Sequence, residues 1–241
     1  MSYKRGQIDG ALHAVLSGPF RTAYRRVGHS VPKTFQTRVT RLLEIDRAWG
    51  TTNAHRLDHL RMAFHDALSA GTGTDIEYSE FNVFALAIGA EMLRIGFKQG
   101  EVVETLGLLR PSLQKAFTRS IAALQTHGNL RHVTDASQKL PTYNRTVSSG
   151  AREPKLDANV FLVLREVEIS PELSARTRGV LKAKEVVIDH RLCWGWEDLV
   201  CFMQKSIPSE TPSVLLIELS ELAARIVEVL PLQPVRRRGR Q

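Results

Sequence analysis

The chain has 241 residues, of which 43% are hydrophobic and 24% are charged, as in an ordinary folded protein. No apolar run approaches the ~20 residues that cross a bilayer, and the N-terminal MSYKRGQIDG has no apolar segment typical of a secretory signal. The two cysteines are too few for a disulfide framework or a cysteine-based zinc site. We therefore expect a cytoplasmic protein without a membrane span.

The formal net charge of +8 is concentrated at the two ends of the chain. Residues 1–70 hold 11 Lys and Arg against 5 Asp and Glu, and the last six residues, RRRGRQ, add four arginines. Residues 71–235 hold 18 basic and 20 acidic side chains. Clustered positive charge neutralises nucleic-acid phosphates, so this pattern favours an acidic partner. The alternative is that the basic ends serve only solubility.

Helical periodicity dominates the first 70 residues. The first apolar stripe predicts a helix that ends at Gly18-Pro19, and it comprises Ile8, Ala11, Leu12, Val15 and Leu16. A second helix is predicted from about Pro32, with the inner stripe Phe35, Val39, Leu42 and Leu43. Its outer face carries Lys33, Thr37, Thr40, Arg41 and Glu44. A third helix is predicted around residues 55–69, burying Leu57, Leu60, Phe64 and Leu68.

The apolar pattern in the middle of the chain predicts a central, strongly apolar helix from about Glu80 to Ile95. Ser79 is a favourable N-cap residue, and Gly96 suits the left-handed position that follows a helix. Two further helices are predicted at about 99–107 and 111–126.

The C-terminal part has a different pattern. Residues 128–157 are poor in hydrophobic side chains and predict a linker. Residues 160–169 predict a strand, residues 196–205 a helix, and residues 213–230 a strand or a helix. The predicted fold is mainly α with a smaller α/β C-terminal part: a helical region over 1–127, an α/β region over 158–235 and a basic tail over 236–241.

Residues 99–117 carry the most informative motif, QGEVVETLGLLRPSLQKAF. Leu106 ends the first predicted helix, Gly107 suits a sharp turn, and Pro111 suits the first residue of the second helix. The motif resembles the helix-turn-helix of many bacterial transcriptional regulators. That resemblance implies a second helix lying in the DNA major groove.

A second resemblance overlaps the first. Tyr78-Ser79-Glu80 through Leu93, followed by Gly96-Phe97 and Glu101-Val102, is similar to the latter half of MerR-type regulator domains. Residues 1–50 contain no clear counterpart of the N-terminal helix-turn-helix that defines that family. The similarity therefore supports the regulator class.

The predicted function is sequence-specific binding of double-stranded DNA by a non-enzymatic transcriptional regulator, as a homodimer and without a cofactor. Residues predicted to contact DNA around the second helix are Arg110, Ser112, Gln114, Lys115, Thr118 and Arg119. Those predicted to contact phosphates from a C-terminal tail are Arg236, Arg237, Arg238 and Arg240.

Several alternatives also fit the sequence. One is a protein-interaction module that does not bind DNA even at low salt, and another is binding to RNA. A third is a metal-dependent enzyme, because His55 and His59 have i, i+4 spacing with Asp66 further along the same predicted helix. A fourth is a nucleophile at Cys193 with His190 nearby, although packing alone explains this Trp-rich stretch.

Overall fold

The computed structural model describes residues 2–17, 30–53, 62–66, 76–127, 159–169, 185–206 and 214–234. The helices within these ranges are α1 (Arg5–Leu16), α2 (Lys33–Asn53), α3 (Glu80–Arg94), α4 (Gln99–His127), α5 (Trp196–Ser206) and α6 (Leu219–Val229). The strands are β1 (Val160–Ile169), β2 (Glu185–Trp194) and β3 (Val214–Glu218), and the short 3-10 helix Leu230–Leu232 follows α6. The described chain is thus mainly helical with a small antiparallel sheet, which confirms the prediction of a mainly α fold with a smaller α/β part. None of its helices is both long and apolar enough to span a membrane.

Helix α3 is the centre of the fold. Ten of its residues are buried, including every position from Phe81 to Gly89. The Ser79 hydroxyl accepts a hydrogen bond from the Asn82 amide at 3.2 Å, and Gly96 has a φ of +108° beyond the helix end. The predicted cap and the predicted terminating glycine are both confirmed.

Close approach between α3, α4 and the 62–66 segment requires a glycine at position 89. A Cβ atom there would lie 3.1 Å from Phe64 Cζ and 3.2 Å from Val102 Cγ1, tighter than ordinary van der Waals contact. The absence of a side chain at Gly89 therefore permits the packing distance at the middle of the core.

Helix α4 runs without interruption through Gly107 and Pro111, so the predicted turn between two helices is wrong. Pro111 leaves the helix one backbone hydrogen bond short. Buried side chains nevertheless continue at spacings of three and four on both sides of this point, at Val102, Leu106, Leu109, Leu113 and Ala116. Because one apolar stripe covers the whole length, tertiary packing outweighs the local breaker residues.

The sheet has the strand order β2-β1-β3, and both pairings are antiparallel. Alternate residues of β1 pack on its two sides, since side chains alternate across a strand. Val160, Leu162 and Leu164 belong to the main core with the helices, whereas Phe161 and Val163 pack with α5. The β1 and α5 predictions are confirmed, residues 213–230 contain a strand followed by a helix, and β2 was not predicted.

Residues on both sides of the predicted linker share one core. The Ser220 hydroxyl on α6 accepts a hydrogen bond from the Val160 amide at 2.8 Å and lies 3.5 Å from the Ser120 hydroxyl of α4. The predicted linker, 128–157, lies outside the described residues, as does the tail from residue 236 onward.

Glu218, at the junction of β3 and α6, makes the stability of the fold depend on pH. Burial, reinforced by the Glu221 carboxylate and partly offset by Arg225, raises the pKa of Glu218 from 4.5 to about 7. The folded protein therefore binds this proton more tightly than the unfolded chain, and stability is lost as pH rises through about 7. We expect Glu218→Gln to reduce this loss between pH 5.5 and 8, measured by urea unfolding at each pH. The exposed Glu44→Gln is the control, and equal pH slopes for wild type and Glu218→Gln would contradict the assignment.

Candidate nucleic-acid interface

Arg110, which was predicted to lie at a turn facing DNA, is buried inside the fold. Only 7% of its side chain is exposed. Its guanidinium donates to the carbonyl oxygens of Met62 and Ala63 at 2.9 and 2.8 Å and to Asn82 Oδ1 at 3.1 Å, and it forms an ion pair with Asp66. The prediction of an exposed Arg110 is wrong because α4 is continuous, which places position 110 beside the buried stripe.

A second buried polar group, Asp46 of α2, holds the same 62–66 segment from the other side. Its carboxylate is fully buried and accepts hydrogen bonds from the amides of Ala63 at 2.6 Å and Phe64 at 2.9 Å. The His65 ring nitrogen Nδ1 lies 2.7 Å from the same carboxylate. Asp46 and Arg110 thus fix the 62–66 segment, which carries the fully buried Phe64 into the core.

Asp46 and His65 were not predicted to hold the fold together. A signal for Asp46 is present, because it continues the spacing of the apolar stripe through Phe35, Val39 and Leu42. A carboxylate at such a position requires several donors. No comparable signal marks His65, whose partner is 19 residues away.

The other five residues predicted on the second helix are exposed on α4. They are Ser112, Gln114, Lys115, Thr118 and Arg119. Thr118 donates its hydroxyl to the Gln114 carbonyl at 2.9 Å, and the Arg119 guanidinium lies 5.0 Å from the centre of the Trp194 ring. The exposed Leu108, with 51% exposure, and Glu104 belong to the same helix. This surface is therefore only weakly basic.

The outer face of α2 is the most strongly basic helical surface in the described chain. Its exposed residues are Lys33, Thr34, Thr37, Arg38, Thr40, Arg41, Glu44, Arg47, Ala48 and Thr51. Four cations stand against one carboxylate, so the face carries a net charge of +3. The other carboxylate of the helix, Asp46, points inward.

The charged donors of this face are the four cations. Thr37, Thr40 and Thr51 donate their hydroxyls to carbonyl oxygens one turn earlier in α2, at 2.8 to 2.9 Å. Lys33, Arg38, Arg41 and Arg47 make no ion pair with any residue in the ranges that the structure covers. The face therefore presents four charges that an anionic partner can neutralise.

The two ends of the described chain meet beside this face. Gln7 in the first turn of α1 donates to the Gln233 carbonyl oxygen at 3.2 Å. Arg5, two residues earlier, donates to the Thr40 hydroxyl of α2 at 3.1 Å. The chain therefore reaches Pro234 next to α1, and α1 contacts the basic face of α2.

The conformation of residues 62–66 does not fit the metal site predicted from His55, His59 and Asp66. Residues 62–66 are not helical, so Asp66 does not continue one helix face from positions 55 and 59, and Asp66 is bound to Arg110 and Asn82. His55 and His59 lie outside the described residues. Among the residues that are described, no three His, Cys, Asp or Glu side chains come together as a possible metal site.

Cys193 is separated from His190 by the alternation of β2. Cys193 is buried with Phe161 and α5, whereas position 190 has the opposite parity in the strand and its side chain leaves the other face. Burial also raises the pKa of the Cys193 thiol, helped by the Asp198 carboxylate and opposed by Arg191. A buried thiol with a raised pKa is poorly suited to nucleophilic attack, and packing against Phe161 and α5 accounts for the position of Cys193.

Comparison with protein-family models, with curated proteins and with solved structures finds no match.

Proposed function

We propose that this protein binds double-stranded DNA through the outer face of α2, which we call the α2 basic face and define by Lys33, Arg38, Arg41 and Arg47. The observation that carries the proposal is that these four cations are all exposed on the solvent-facing side of α2 and have no ion-pair partner in the described ranges. The position of the binding surface differs from the one that the helix-turn-helix motif suggests.

The dimensions of the α2 basic face suit a phosphate backbone. Lys33 and Arg47 are 14 residues apart, which corresponds to about 21 Å along a helix at about 1.5 Å per residue. Double-stranded DNA carries about one negative charge per 1.7 Å of its axis, so a helical segment of this length spans several phosphates. Arginine and lysine side chains along this segment release condensed counterions when they bind phosphates.

The basic tail supplements this face. Arg236 follows Pro234 by two residues, and Gln233 is hydrogen-bonded to α1 beside α2. The two basic regions of the sequence therefore supply one binding surface in this proposal.

Sequence-specific reading requires contacts to base edges in addition to phosphates. The exposed α4 residues Ser112, Gln114 and Lys115 are hydrogen-bonding candidates for that role in a transcriptional regulator. We also propose that the DNA-binding form is a homodimer, since two copies of the α2 basic face double the number of phosphates neutralised.

The test is a fluorescence-anisotropy titration of the full chain with a 30-base-pair duplex of mixed sequence, from about 50 to 200 mM salt. We expect Arg38→Gln/Arg41→Gln/Arg47→Gln to weaken binding. The slope of log affinity against log salt should become shallower by about 2.7, because each phosphate that is no longer neutralised reduces it by about 0.9. A Lys115→Ala/Arg119→Ala variant measures the contribution of α4, and a chain ending at residue 235 measures that of the tail.

The control removes two exposed cations on other elements of the chain, by Lys98→Gln/Lys205→Gln. It should leave the salt slope close to that of wild type. Equal slopes for the α2 variant and the control overturn the proposal. So does tighter binding to a single-stranded RNA of equal length, or no binding of wild type at 50 mM salt.

A further inference from the structure

Strand β2 forms an open edge of the sheet. In the described chain its ten residues pair with β1 on one side only, through the whole register from Val160 opposite Trp194 to Ile169 opposite Glu185. His190 and Arg191, in the middle of the strand, are exposed. An open sheet edge presents unpaired backbone N–H and C=O groups to another strand.

The charges along β2 select one way of pairing this edge with a second copy of itself. When two antiparallel copies of β2 are related by a twofold axis, equivalent side chains must point to the same side of the joint sheet. A one-residue shift in register would turn them to opposite sides. The axis must therefore pass through a residue and not through a peptide bond. Near the centre of the strand the axis therefore passes through Asp189, His190 or Arg191. An axis at Asp189 places two carboxylates opposite each other, and an axis at Arg191 places two guanidinium groups opposite each other, which is unfavourable.

An axis at His190 instead places Asp189 of each copy opposite Arg191 of the other. Both side chains emerge on the side of the sheet that carries α5, opposite Arg165 and Val163 of β1, and they are 44% and 49% exposed. This register forms two ion pairs, each between an aspartate and an arginine, and places no like charges opposite each other among these residues.

The contacts within one chain extend this complementarity. Arg165 Nε donates to Asp189 Oδ2 at 2.6 Å, and Arg191 Nη2 donates to Asp198 Oδ1 at 3.0 Å. Pairing about His190 therefore joins the two sets into an alternating row of positive and negative charges. Networks of this kind contribute more than an isolated surface pair.

We propose that a second copy of this chain pairs with β2, antiparallel and about a twofold axis through His190, so that two three-stranded sheets become one six-stranded sheet. This inference identifies the surface through which the homodimer of the proposed function would form, and it does not depend on DNA binding.

The first measurement is sedimentation equilibrium of the full chain without nucleic acid, from 1 to 100 µM. We expect a mass of about 54 kDa at the upper concentration, twice the 27.0 kDa of one chain. His190→Asp places two carboxylates opposite each other on the axis and should raise the dimer Kd at least tenfold. Gln204→Asp, on the exposed side of α5, adds the same charge and should leave the Kd unchanged.

The second measurement locates the axis by oxidative cross-linking in a Cys201→Ser background. Directly opposite residues in antiparallel strands have Cα atoms about 4.5–5.5 Å apart, within the range of a disulfide. His190→Cys should therefore give a covalent dimer, whereas Leu216→Cys, exposed on β3 at the other edge of the sheet, should not. A monomer at 100 µM overturns the proposal, and so does a dimer that cross-links through position 216 but not through position 190.

Discussion

Replacing Arg110 by alanine is expected to lower the free energy of unfolding by about 3 kcal/mol, because it removes a buried guanidinium and leaves the buried acceptors Ala63 O and Asn82 Oδ1 without a donor. The substitution strips donors from the Met62 and Ala63 carbonyl oxygens, from Asn82 Oδ1 and from the Asp66 carboxylate. Urea unfolding measures the loss, and the midpoint of thermal unfolding should fall by about 10 °C, since ~1 kcal/mol shifts Tm by ~2–4 °C at this size.

Arg94→Ala is the matched control for this prediction. Arg94 forms an ion pair with Glu91 on α3, but 69% of its side chain is exposed. Exposed pairs contribute about 0–1 kcal/mol, so this variant should be nearly as stable as wild type. Similar small losses for both variants would show that Arg110 does not hold the 62–66 segment.

Replacing Asp46 by alanine is expected to cost about 3 kcal/mol or more, because it leaves two buried amides and the His65 ring without their acceptor. Asp46→Asn should also be strongly destabilising, because its amide group has a single acceptor oxygen where the carboxylate uses both. The exposed Glu44→Ala, on the outer side of the same helix, should change the free energy of unfolding by less than about 0.5 kcal/mol.

The Asp46 and Arg110 effects should not add. Both residues hold the 62–66 segment, so once one is removed the other has less native structure to stabilise. We expect the double variant to lose less than the sum of the single losses, by about 0.5–3 kcal/mol. Native-state hydrogen exchange should show faster exchange of the Ala63 and Phe64 amides in each single variant. Full additivity with unchanged exchange would contradict this shared role.

The parts of the fold that the sequence predicts well are those with one dominant local pattern. The stripes of α1 and α2, the capped helix α3 and the β-branched strand β1 all follow their periodicity. Helix α4 differs, because the local preference of Gly107 and Pro111 competes with an apolar stripe that continues through them. The apolar spacing that continues across Gly107 and Pro111 favours one continuous helix, whereas a motif based on these turn residues favours two helices.

The basic surface was only partly predictable. Lys33 and Arg41 follow from the outer face of the second predicted helix, and the charge bias of residues 1–70 points to the same part of the chain. The burial of Arg110 was not predictable, because its partners are 28 to 48 residues away and lie in other segments. Strand β2 was missed for a similar reason, since Asp189, His190 and Arg191 break its apolar pattern and its pairing with β1 defines it.

The contact between Gln7 and Gln233 has a consequence for how the chain folds during synthesis. Helix α1 is made before α6, but it packs against α6 and the 3-10 helix that follows α6, and Gln7 bonds to a residue 226 positions later. A ribosome therefore adds more than 200 residues after α1 before α1 can reach these partners. Contacts with such a long sequence separation slow folding, because the intervening loop must close before they form. The exposed apolar face of α1 in the nascent chain is thus a natural site for a chaperone to bind before translation ends.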